Sequence, residues 1–118
     1  MTTSAPPLPV HRPDDGELVG HLTAEPRDGA DVWVARTVFG AELAVFGDRG
    51  EATAFLHARG LALLAERWWW RFPEGGWRPV TLVEAWPGGV TFRPGLDPAT
   101  PLVTVSGAAA AALARRPG

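Results

Sequence analysis

Few side chains in this sequence are equipped for covalent or acid–base chemistry, and none are grouped for it. The chain of 118 residues has no cysteine, which excludes thiolate nucleophiles, disulfides and cysteine zinc sites. Its three histidines, His11, His21 and His57, are never two to four residues apart, and no His-Glu-x-x-His occurs. No metal site is expected. Ser4 and Ser106 are the only serines, and neither stands in Gly-x-Ser-x-Gly. Lysine is absent, so no Schiff base can form on a lysine side chain. Glu84 shares a face with Val80, Leu82 and Trp86 if its strand alternates regularly. A carboxylate against tryptophan in a low-dielectric pocket can act as an acid, but a rim position or an ion pair with Arg71 or Arg78 explains it as well. Gly47-Asp48-Arg49-Gly50 has the strand-to-helix context of a phosphate loop, yet Asp48 puts a negative charge where the anion would sit. An ordinary helix cap explains every residue of it. The inventory leans away from an enzyme, and no cofactor is expected.

The pattern with functional content is aromatic and cationic. Trp68-Trp69-Trp70-Arg71-Phe72 is followed, across Pro73-Glu74-Gly75-Gly76, by Trp77-Arg78. In a strand, alternate side chains point to opposite faces, so Trp68, Trp70 and Phe72 face one way and Trp69 and Arg71 the other. One large aromatic then lies on a face that a simple two-layer domain gives to solvent. Trp69, Arg71, Trp77 and Arg78 are the candidate binding residues. Tryptophan and arginine are the enriched anchors of protein interfaces. The same pair can stack single-stranded bases.

Charge sets these two readings apart. The formal net charge is −2, and all eleven basic residues are arginine. That balance predicts no general attraction to nucleic acid or to an anionic membrane. The wealth of alanine, arginine and glycine is that of a high-GC, bacterial genome. Residues 59–93 hold five arginines against three glutamates, whereas residues 1–31 hold six acids against two arginines. A signal peptide needs a basic start and an apolar run, and residues 1–20 offer Pro6, Pro7, Pro9, Pro13 and Asp14-Asp15 instead. The apolar run Ala108 to Ala114 is far short of the roughly 20 residues of a membrane span. The expected compartment is the cytoplasm.

The elements that would position these residues read as follows. Residues 1–17 are proline-rich and predict a disordered or loosely attached arm, with Pro6-Pro7-Leu8-Pro9 suited to polyproline II. Leu18 to Leu22 predicts a short strand, and Asp28-Gly29 a turn. Val32 to Phe39 predicts a strand with two apolar faces, covered on both sides, and Leu43 to Phe46 its return. Asp48 opens a helix, with Glu51 at capping-box spacing. Ala52, Phe55 and Leu56 form its apolar stripe, and the pattern runs over 49–66 with a bend at Gly60. Trp68 to Phe72, Trp77 to Trp86 and Val90 to Arg93 predict three more strands. Pro79 is awkward there, because it cannot donate to a ladder. Residues 94–118 predict a proline-rich link, a short optional strand Leu102 to Val105, and an alanine-rich helix Gly107 to Arg116 capped by Ser106.

These elements predict one small α+β domain over 18–118. It would have a single antiparallel sheet of five or six strands with a helix on one face, in the order β-β-β-α-β-β-β with an optional closing β-α. Trp70, Val34, Leu82 or Val83, Phe55 and Leu56 are the expected core, and no internal repeat is evident. The expected function is a non-catalytic protein-interaction or structural domain, with single-stranded nucleic-acid binding as the alternative. The expected partner is another protein, or a second copy in a twofold dimer that covers the open sheet face.

Overall fold

A computed structural model describes residues 6–95 and 97–117. Eight strands form two separate four-stranded antiparallel sheets, each an up-and-down meander. The first holds β1 (Leu8–His11), β2 (Leu18–Arg27), β3 (Ala30–Arg36) and β4 (Glu42–Phe46). Helix α1 (Arg49–Arg59) and a 3₁₀ turn (Ala62–Ala65) follow. The second sheet holds β5 (Trp68–Phe72), β6 (Gly76–Trp86), β7 (Gly89–Pro94) and β8 (Val103–Ser106), and α2 (Gly107–Ala111) comes after it.

This overturns the expected single sheet of five or six strands. Every strand pairs only with its sequence neighbours, and β4 and β5 remain edges on either side of the helical segment. The outer edge of β5 is met by the chain's own tail. The Trp69 N–H donates to the Ala114 carbonyl at 2.7 Å, and the Ala114 N–H donates back at 3.0 Å. Each half is a four-stranded meander followed by a helix.

Part of the expected arm is ordered. Residues 8–11 form β1 against β2, with Pro9 opposite His21 and Val10 buried. β1 is an edge strand, where a proline need leave no ladder bond unmade. Residues 1–5 of that arm, Leu96 of the expected link and Gly118 lie outside the described residues.

Two cores result. Under the first sheet, Val10, Val19, Leu22 and Ala35 pack with Ala52 and Leu56 of α1. Under the second, Trp68, Val80, Val90 and Phe92 pack with Ala110, Leu113 and three residues from elsewhere, Val38, Phe39 and Ala41. Those three come from the tip of the β3–β4 hairpin, so the first half inserts its hairpin into the second core. Phe39 meets Trp68 edge-on, with ring centroids 5.7 Å apart. The Gly88 N–H reaches the Val38 carbonyl at 3.3 Å. Two cores share a flat molecule of 42 × 37 × 20 Å.

The hairpin also corrects the reading of 32–39 as one strand with two apolar faces. β3 ends at Arg36, and Val38 and Phe39 leave it for the other core. The face of β3 away from α1 keeps Val32 and fully buried Val34, and beside them it carries an ion-pair network. Arg36 donates to Glu25 (2.7 Å), Thr23 (3.1 Å) and the Gly40 carbonyl (3.0 Å). Arg27 joins Glu25 (3.1 Å) to Glu42 (2.7 Å). The outer face of this sheet is therefore mixed, polar around Glu25 and apolar at Val34 and Val45.

The network makes stability depend on pH. The Thr23 hydroxyl, then Arg36 and Arg27, hold the Glu25 carboxyl well below its ordinary value of 4.5, to about 2. Folded Glu25 is the stronger acid, so the unfolded chain takes up the extra proton as pH falls. The stabilisation is fully present above about pH 4.5 and is lost toward about pH 2. Screening at this half-exposed site leaves about 2 kcal/mol at neutral pH. Urea unfolding of Glu25→Gln against the parent should show that gap at pH 7 and its closure near pH 2. A gap independent of pH would contradict the assignment.

The predicted 49–66 helix divides at its glycine. Asp48 caps α1 by accepting from the Glu51 N–H at 3.0 Å. The helix ends at Arg59, and the next residues tighten into the 3₁₀ turn. The alanine-rich helix is shorter than its propensity predicts. α2 stops at Ala111, and the Ser106 side chain makes no cap bond. Burial of Leu113 and the pairing of Ala114 with Trp69 outweigh alanine's preference, so Arg115 lies over the Trp68 ring at 5.7 Å and bonds Glu66.

Candidate binding surface

The second sheet has one face on its core and one turned outward. Register assigns the faces. Trp68, Trp70 and Phe72 of β5 pair with Val80, Arg78 and Gly76 of β6, and this set faces the core. Trp69 pairs with Pro79 and Arg71 with Trp77, and this set faces outward. Next along β6, Thr81 pairs with Arg93 of β7. The outer face therefore begins with three rows: Arg71 beside Trp77, Trp69 beside Pro79, and Thr81 beside Arg93. α1 packs on the first sheet and Ala110 of α2 lies in the second core, so both helices are occupied elsewhere.

Pro79 fits this strand because of where its neighbours turn. Trp69 directs both backbone groups to Ala114, so the pair Trp69–Pro79 exchanges no ladder bond. The Pro79 carbonyl faces the other way and accepts from the Gly95 N–H at 3.3 Å, just past the end of β7. A residue without an N–H is tolerated there.

Three of the four residues singled out from the sequence meet on this face. Trp69 and Trp77 are half-buried, and Arg71 is exposed. Arg78 is on the opposite face, where its guanidinium lies 5.9 Å from the Phe72 ring centroid. Pro79, Thr81 and Arg93 are members that sequence reasoning missed. Arg93 is recognisable only through its cross-strand partner. Among the described residues its Nε is buried and has no hydrogen-bond acceptor.

A bulge between Leu82 and Glu84 reverses the faces of the far half of β6. Ala85, expected outside, packs on the core, whereas Glu84 and Trp86 are exposed. Val83, offered as a core residue, is 47% exposed. Leu82, Trp70 and Phe55 pack at the edges of the two cores, and Val34 and Leu56 are fully buried. Glu84 thus sits at the far end of the outer face.

A shallow cleft of about 320 Å³ borders the third row, lined by Glu66, Arg67, Pro79, Thr81 and Gly95 among others. Glu66 is engaged by Arg59 and Arg115. No cluster of metal-ligating side chains occurs among the described residues. His11 lies on β1, His21 on β2 and His57 on α1, each on a different element. Asp48 serves as the α1 cap, as an ordinary strand-to-helix step requires. The arrangement sets Trp69, Trp77 and Pro79 between Arg71 at one end and Arg93 at the other. No helix among the described residues is long and apolar enough to cross a membrane. No family model matches the chain, and neither a curated protein nor a solved structure matches it.

Proposed function

We propose that the chain is a non-catalytic protein-interaction module whose docking surface is the outer face of the second sheet. The observation that supports this reading is the meeting of Trp69, Trp77 and Arg71 on a face turned away from both cores. Half-exposed tryptophan is a large, rigid anchor, and its burial on binding supplies most of the energy of such contacts. The expected partner is another protein acting with this chain in the cytoplasm. A second copy is the alternative occupant of this face.

The test is the pair Trp69→Ala and Trp77→Ala. Each should shift unfolding by less than about 1.5 kcal/mol, because neither side chain is fully buried. Partner capture from the native host should be lost in both and should survive nuclease and raised salt. An aromatic-anchored interface loses little affinity with salt, whereas a nucleic-acid complex loses it steeply. Loss of the captured partner on nuclease treatment would favour single-stranded nucleic acid. Unfolding by Trp69→Ala would overturn the surface reading.

A further inference from the structure

We propose that the outer face takes an extended, acidic protein segment whose two carboxylates pair with Arg71 and Arg93. The inference rests on the reading of this face as a docking surface and adds the chemistry of its partner. Among the described residues, neither arginine has a carboxylate within ion-pair distance. The Arg93 Nε–H is buried without an acceptor, so no carboxylate of the described residues holds the guanidinium in place. An incoming carboxylate reaches Arg93 through its terminal guanidinium nitrogens, since the Nε is closed to solvent.

The spacing selects the ligand. Arg71 lies opposite Trp77 and Arg93 opposite Thr81, so the two are separated by four positions along β6 and two strand spacings across it. That is about 13 Å along and about 10 Å across, or about 16 Å on the diagonal. Between them lies the Trp69–Pro79 row. In an extended chain, side chains i and i+4 face the same way about 13 Å apart, and arginine reach spans the rest. The side chain at i+2 then falls on Trp69 and Pro79 and should be apolar. The segment is acidic, apolar, acidic at alternate positions. A nucleic-acid strand following the same face would carry its phosphates onto exposed Glu84, two residue pairs beyond Arg93 at the bulge.

The probe is a labelled peptide, acetyl-Gly-Glu-Thr-Leu-Thr-Glu-Gly-amide, with its glutamine counterpart and a short oligothymidylate beside it. Binding to the full chain is read by fluorescence anisotropy at low salt. The glutamate peptide should bind about tenfold tighter than the glutamine peptide. Arg71→Gln with Arg93→Gln should abolish that difference while leaving the unfolding midpoint within a few tenths of a molar urea. Trp69→Ala should weaken both peptides. Equal binding of the two peptides, or no binding of the glutamate peptide up to about 1 mM, overturns the charge pairing. Tighter binding of the oligothymidylate overturns it in favour of nucleic acid. Peptide binding that Trp69→Ala leaves unchanged overturns the underlying docking surface instead.

Discussion

Phe39→Ala should destabilise the protein by about 3–5 kcal/mol, the range for truncating a buried phenylalanine. Phe39 is only 2% exposed, although it sits at the tip of a hairpin, where chains are usually solvated. It is buried because the β3–β4 hairpin enters the second core beside Val38 and Ala41. Its edge-on contact with Trp68 would be replaced by a cavity that the sheet above cannot close. A typical domain has only about 5–15 kcal/mol in all, so this one change removes a large share. The loss should also be uneven. The first core has its own helix and its own apolar set, whereas the second depends on the borrowed hairpin. Hydrogen exchange should show β5–β8 losing protection ahead of β1–β3. A loss below about 1 kcal/mol, or equal deprotection of both halves, would contradict the hairpin's role.

Gly20→Ala should cost about 3 kcal/mol or more, through two mechanisms at one residue. Gly20 has φ +153°, a conformation that side chains rarely adopt. A Cβ there would also lie 2.3 Å from the Arg36 carbonyl oxygen and 2.9 Å from Leu56 Cδ2. β2, β3 and α1 meet at this point, so relief at one neighbour crowds another. Gly60→Ala separates the causes. Gly60 has an ordinary helical φ of −52°, so by propensity alone alanine would gain about 1 kcal/mol. Its Cβ would stand 2.4 Å from the Val19 carbonyl oxygen. Destabilisation by both variants in urea, with Gly20→Ala the worse, is the expected result. A stabilised Gly60→Ala would mean that α1 can lift from β2 without loss.

Several features were legible because they are decided within a few residues. Alternation alone put Trp69 and Arg71 opposite Trp68, Trp70 and Phe72. Asp28-Gly29 turns with φ of 50° and 80°, the conformation that this dipeptide tolerates best. Asp48 and Glu51 begin α1 where their spacing predicts. The same alternation placed Arg78 beneath the sheet, away from the other three candidates, once its register with Trp70 is known.

What tertiary structure decided was every feature resting on a partner distant in the chain. The division into two sheets depends on which edge β5 finds, and it finds Ala114, about forty-five residues later. The apolar residues after Arg36 belong to the other core, a choice that periodicity cannot express because it registers burial without naming the neighbour. The bulge at Val83 is invisible to a period of two, yet one extra residue moves Ala85 inward and Glu84 and Trp86 out. Arg93 joined the candidate surface only through its register with Thr81. The sequence by itself determined the local elements and the aromatic face, because backbone sterics and side-chain alternation act over a few residues. Sheet membership, the borrowed hairpin and the spacing of the two arginines came from long-range pairing, whose free energy is set by contacts that exist only once the chain has folded.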